Sequence, residues 1–243
     1  MNIGLAVALL VALTACAPGE DEVVVFAAAS LSGAFEDIEE AFEAAWPGTE
    51  VTLSFGGSAL LAAQIVAGAP ASVFAAADQA SMDAVLEAGR GGSPVSFATN
   101  RIVIVVPAGN PAGIVEAKDL ASGDTRVVLA APKVPAGAYA RAFFADLGVA
   151  AAVERRVVSN ETDVKEVLAK VLVGEADAGV VYATDITEAV ADKVEVVELP
   201  GAPEAVYPAV VLAGGGTQGR AFVDFLLSPE GATIFERHGF GAP

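Results

Sequence analysis

The sequence predicts an α/β fold: two lobes of mainly parallel sheet flanked by helices and joined by a two-strand hinge. Three observations carry this expectation. From Val23 onward, short β-branched runs alternate with segments of helical periodicity, the pattern of parallel strands linked by crossover helices. Gly48, Gly89, Gly148 and Gly174 fall just beyond helical segments, where a residue free to adopt a left-handed conformation ends a helix. Two β-rich stretches with few helix signals, 96–106 and 206–212, stand on either side of the middle of the chain. If both cross between lobes, residues 23–100 with 206–243 form one lobe and 101–205 the other, a layout suited to closing on a ligand.

The first 22 residues read as something other than fold. "MNIGLAVALLVALTACAPGEDE" has an apolar core from Leu5 to Leu13, then Leu13-Thr14-Ala15-Cys16, then a Pro, Gly and acidic stretch. The core is too short to span a membrane permanently and ends on small residues, as a cleaved export signal does. It resembles a bacterial lipoprotein leader, which implies that residues 1–15 are removed and that Cys16 becomes an acylated first residue. Residues 16–22 then form a solvated tether, and the protein is exported to the outer face of the membrane or the periplasm, anchored by lipid. No Lys or Arg precedes the apolar core, a departure from the usual leader. The bland alternative is an ordinary secretory peptide with an incidental cysteine.

Strands are expected at 23–27, 50–55, 72–75, 101–106, 127–130, 155–158, 178–182, 194–199 and 208–212. Helices are expected at 31–45, 59–67, 79–88, 137–147, 164–173 and 218–238. In the first helix Phe35, Ile38 and Phe42 share one stripe, while Glu36, Glu39, Glu40 and Glu43 take the other face. At that spacing the acids read as a solvated surface and not a cation site.

Composition narrows the chemistry. One Cys, one His and one Trp in 243 residues leave little for a metal centre or a histidine-based triad. A net charge of −18, from 31 acidic and 13 basic residues, argues against nucleic acid or anionic membrane as an electrostatic partner. Any anion site must therefore work through local dipoles.

Five places offer such dipoles. "FAAASLSGAF" leaves the first strand through small residues and Ser30, and "LSFGGSALLAAQI" runs from a strand through Gly56 and Gly57 to Ser58 and a helix. "LAAPKVPAGAYA" enters a helix near Ala136, and "VVSNETDVKEVLAKV" has Asp163 three residues before Glu166. That cap-like start leaves the Val164 N–H in an uncapped position of the first turn. "AGVVYATDI" ends a strand on Tyr182, whose phenol can donate. Strand ends and helix starts of this kind line ligand sites in open α/β sheets. The donors are neutral, which suits a fully deprotonated tetrahedral oxyanion. Taken singly, each feature also has a structural reading, as a helix cap or a close-packing residue.

"VFAAASL", "SFGGSALLAAQIVAGAPASVFAAAD", "VPAGAYA", "TDV", "GVVYATD", "YPAVVL" and "FERHGF" resemble, in this order, the molybdate-binding proteins of bacterial ABC importers. The resemblance implies a type II periplasmic-binding fold with a hinge and a ligand, molybdate and also tungstate, held by Ser30, Ser58, Ala136, Val164 and Tyr182. It implies no catalysis and no cofactor. The expected partners are the oxyanion and a membrane permease with a cytoplasmic ATPase, with the chain a monomer that meets the membrane only through its anchor. Two departures stand out. Gly56-Gly57 replaces a more serine-rich stretch, and His238 sits where an aromatic is common; a role for His238 as a pH switch competes with that of a surface residue.

Three alternatives remain open at this point. Sulfate or thiosulfate has the same donor-only demand as molybdate. A serine hydrolase built on Ser58 departs from the G-x-S-x-G elbow because residue 60 is Leu. A purely structural surface lipoprotein would show no ligand-dependent stability.

Overall fold

The computed structural model describes residues 22–243. The leader and Cys16 lie outside the described residues, and the expected tether loses its last residue, because Glu22 already opens the first strand.

That strand, β1 (Glu22–Ala28), buries Val23, Val25 and Ala27 completely. It lies between two parallel neighbours, β2 (Glu50–Gly56) and β3 (Val73–Ala75). The connection to β2 is helix α1 (Ser32–Ala45), whose Phe35, Ile38 and Phe42 are fully buried. Glu36 and Glu40 on its other face are exposed. Glu43 is more than solvated surface, since its Oε1 accepts the Val51 N–H at 2.8 Å and fixes the start of β2. Helix α2 (Ser58–Val66) joins β2 to β3, and α3 (Gln79–Glu87) follows, begun by the Asp78 carboxylate accepting from the Ser81 N–H. Leu61, Ile65, Phe74, Met82, Val85 and Val210 form a separate small core on that side.

The long strand β4 (Val95–Pro107) changes partners midway. Its first part, from Val95 to Arg101, pairs antiparallel with β9 (Glu204–Val211); its second part, from Ile102 on, pairs with β7 (Ala178–Tyr182) and β8 (Val194–Glu198). Beyond it, β5 (Val127–Ala130) lies parallel to β6 (Val157–Glu161) and β7. The strand order is β2-β1-β3-β9-β4-β7-β5-β6, with β8 on β4. Every antiparallel pair includes β4 or β9, and the remaining pairs are parallel. The two β-rich stretches singled out in the sequence are therefore the pair of strands that link two parallel half-sheets.

Helices α4 (Pro135–Asp146), α5 (Ala150–Glu154) and α6 (Val164–Leu172) cover the second half-sheet. Three expectations need correction here. The strand expected at 155–158 begins later, because Ala150–Glu154 forms α5 first. The helix expected at 218–238 is two helices, α7 (Gly216–Leu226) and α8 (Pro229–Arg237). Pro229 disfavours helical backbone at Ser228, and the Ser228 Oγ accepts from the Gly231 N–H at 3.1 Å to start the second helix. The strand expected at 208–212 begins four residues early, and Pro208 is accommodated where the β4–β9 register slips between Ser96 and Ala98. Gly48, Gly89, Gly148 and Gly174 all have positive φ, as their stop positions require. No helix among the described residues is long and apolar enough to cross a membrane.

Candidate functional site

The carboxyl ends of the parallel strands meet at one cleft. Strand β1 runs into a short 3-10 turn, Ala29–Leu31, carrying Ser30; β2 passes through Gly57 into α2 at Ser58. From the other half-sheet come α4, which starts on Pro135 after β5, α6, which starts on Val164 after β6, and Tyr182 at the end of β7. The walls of this narrow cleft include Ser30, Ser58, Ala136, Val164 and Tyr182. All five residues singled out in the sequence are thus brought together.

Each is presented as a donor for a physical reason. The Ser58 Oγ accepts the Ala77 N–H at 3.0 Å, so its own hydrogen is free for the cleft. The Asp163 carboxylate, N-cap of α6, accepts from the N–H groups of Lys165 and Glu166 at 2.8 and 3.0 Å. It passes over Val164, whose N–H belongs to the unpaired first turn. Helix α4 starts without a side-chain cap and with Pro at its first position, which leaves Ala136 among the unpaired groups of its first turn. The Tyr182 hydroxyl is fully buried and has no hydrogen-bond partner among the described residues. Burial, reinforced by neighbouring Tyr207, pushes its pKa well up, so the phenol keeps its proton. A buried polar atom without a partner costs roughly 1 to 3 kcal/mol, a cost that an acceptor entering the cleft would remove.

The walls carry no Lys, Arg or His, and their one carboxylate is Asp163. Among the described residues, no cluster of His, Cys, Asp and Glu is arranged to hold a metal ion. Neutral hydroxyls and helix N-termini make a site for a small anion. They offer little to a ligand that must itself donate a proton.

Four contributors escaped the sequence reading. Tyr207 on β9 lies 3.0 Å from the Ser30 Oγ, and Asn100 on β4 reaches Tyr207. Ala77 holds Ser58, and Asp185 holds the Tyr182 backbone. The available signal was a buried aromatic hydroxyl in each of "YPAVVL" and "GVVYATD", because such groups need partners. His238 lies away from the cleft. Its Nε2 is 2.7 Å from Asp37 Oδ2, which joins the end of α8 to α1.

The comparisons agree with this geometry. A family model described as bacterial extracellular solute-binding protein matches residues 23–241. The molybdate-binding protein ModA of Mycobacterium tuberculosis (strain ATCC 25618 / H37Rv) is 41% identical over 100% of this chain and 98% of its own. ModA of Escherichia coli (strain K12) is 34% identical, with 91% of this chain and 89% of its own covered. The solved periplasmic molybdate-binding protein of Azotobacter vinelandii superposes with a TM-score of 0.79 at 25% identity, covering 91% of this chain and 99% of that one. These matches mark a solute-binding protein and not an enzyme, which removes the hydrolase alternative for Ser58. Matched by that model from its first described strand almost to its last residue, the chain belongs to the bacterial extracellular solute-binding protein family.

Proposed function

We propose that this protein is the extracytoplasmic substrate-binding component of a molybdate ABC import system, taking molybdate and also tungstate. The observation that carries the proposal is the buried Tyr182 hydroxyl, without a partner among the described residues, in a cleft whose other donors are two serines and three helix starts and whose described walls carry no cation. A fully deprotonated tetrahedral dianion needs only donors, and neutral ones avoid the desolvation cost of a buried Lys or Arg. The names of the relatives point the same way.

In this reading Ser30 and Ser58 give hydroxyl and backbone donors, Ala136 and Val164 give backbone N–H groups, and Tyr182 gives its hydroxyl. Residues 23–100 with 206–243 act as one lobe and 101–205 as the other, closing about β4 and β9. Closure is a population shift drawn by the ligand's preference for the closed state. The closed monomer then docks on a membrane permease with its cytoplasmic ATPase. Residues 1–15 serve as the export signal, Cys16 as the lipid anchor, and the segment up to Asp21 as the tether.

Thermal unfolding of residues 17–243 with molybdate, tungstate, sulfate and phosphate tests the proposal. A ligand bound only by the folded state adds about 2.7 kcal/mol at a hundredfold excess over its dissociation constant. A rise in Tm with molybdate and tungstate alone is expected. A rise with sulfate instead would reassign the ligand, and no rise with any of the four would sink the assignment.

A further inference from the structure

The serine at the end of β1 is oriented from a distance. Asn100 Oδ1 accepts the Arg101 backbone N–H at 2.8 Å, which turns its amide nitrogen the other way. That nitrogen reaches Thr184 Oγ1 at 2.8 Å and the Tyr207 hydroxyl oxygen at 3.3 Å. The Tyr207 oxygen thus accepts from Asn100 and stands 3.0 Å from the Ser30 Oγ, a contact in which either hydroxyl can donate. When Tyr207 is the donor, Ser30 accepts, and the one hydrogen it owns is released toward the cleft. Tyr207, Asn100 and Ser30 are all buried, at 0%, 5% and 6% exposure, so water does not compete for these positions.

The location matters as much as the direction. Asn100 and Tyr207 sit on β4 and β9, the two strands that link the half-sheets, and Thr184 lies two residues beyond Tyr182. One chain of hydrogen bonds, buried from Ser30 to Asn100 and half-buried at Thr184, therefore runs from Ser30 on one side, across both linking strands, to the turn that carries the phenol on the other.

We propose that Tyr207 and Asn100 are specificity-determining positioning residues: they lock Ser30 as a donor only, so that the cleft rejects oxyanions that keep a proton. The proposal rests on the reading of Ser30 as a ligand-binding residue. Ser58 receives the same treatment from the Ala77 backbone N–H, which no side-chain replacement can remove. Ser30 is the serine whose polarity a side chain sets.

The test is Tyr207→Phe, which removes one oxygen from a buried ring and leaves the packing in place. Dissociation constants for molybdate, and for phosphate as its competitor, are measured at pH 7.5 by calorimetry for four proteins: wild type, Tyr207→Phe, Ser30→Ala and the double variant. Tyr207→Phe should weaken molybdate about tenfold and narrow the phosphate-to-molybdate ratio at least tenfold, because a freed Ser30 can then accept the phosphate proton. In the Ser30→Ala background the same change should alter molybdate binding less than threefold. An unchanged ratio, or an equal loss with and without Ser30, overturns the proposal and leaves Tyr207 a structural residue. A wild type that binds neither anion overturns the functional reading itself, and this inference with it. Asn100→Asp adds an independent arm, since a carboxylate at 100 accepts from Tyr207 and reverses the chain. It should narrow the ratio in the same direction, and a wild-type ratio in that variant also counts against the proposal.

Discussion

Asp185 Oδ2 accepts the backbone N–H of Tyr182 at 2.9 Å, while its other oxygen faces the Lys165 ammonium at 3.6 Å. The carboxylate thereby ties together the end of β7 and the first turn of α6, the two elements that bring Tyr182 and Val164 to the cleft. Its side chain is fully buried.

Burial pushes the Asp185 pKa up to about 6, with Lys165 and the Tyr182 N–H pulling the other way. The folded state then holds a proton that the unfolded chain, at the ordinary carboxylate value, has released. Stability from this group therefore falls as pH rises from about 4 to about 6 and is flat above. A shift of that size corresponds to on the order of 3 kcal/mol. Asp185→Asn should abolish this component. Urea unfolding of the two proteins at pH 4.5, 5.5 and 7 is expected to show the wild type losing ground relative to the variant as pH rises. A constant difference across that range would contradict the prediction.

Tyr182→Phe separates function from stability. The hydroxyl has no partner among the described residues, so removing it should leave the ligand-free Tm unchanged or raise it by up to about 1 kcal/mol equivalent. Molybdate binding should weaken by roughly 1.5 to 3 kcal/mol, the range for hydrogen bonds to charged groups. A variant that is less stable without ligand would mean that the phenol has an internal partner.

The two serines should behave differently from each other. Ser30→Ala and Ser58→Ala are each expected to cost about 1.5 to 3 kcal/mol in molybdate binding. Ser58→Ala also strands the Ala77 N–H that its oxygen accepts, a buried donor whose loss of a partner costs roughly 1 to 3 kcal/mol of folding stability. Ser30→Ala takes an acceptor from the Tyr207 hydrogen, but that hydroxyl still accepts from Asn100 and can rotate, whereas the Ala77 N–H is fixed in the backbone. Calorimetric titration and chemical unfolding of both variants check this, with the larger loss of stability expected for Ser58→Ala.

Local chemistry made much of this molecule legible in advance. The stripe of Phe35, Ile38 and Phe42 and the glycine stops are short-range signals, and each site residue lay at a strand end or helix start recognisable from a few neighbours. What escaped was set by long-range pairing. Nothing near Tyr207 in sequence announces Ser30, which is 177 residues away, and nothing near Asn100 announces Thr184. The antiparallel pairing of β9 also depends on which strands it meets. The division of the expected 218–238 helix, by contrast, was readable from Ser228-Pro229 and was overridden by a periodicity that continues through both helices.

Gly57 offers the sharpest test of closure, because its backbone does not require glycine. Its φ of −63° and ψ of 129° are ordinary extended values that alanine adopts freely. A Cβ at this position would nevertheless run into the carbonyl oxygen of Thr162, on the opposite wall. Gly57→Ala should therefore fold with near-normal stability, and the extra methyl should act only when the start of α2 approaches the β6–α6 turn. Loss of molybdate affinity of at least tenfold is expected, together with a larger radius of gyration in the presence of ligand by small-angle scattering. Since alanine also lowers the entropy of the unfolded chain, the ligand-free Tm should not fall. A drop in that Tm equal to the loss in binding would show that the contact belongs to the fold in all its states and not to closure.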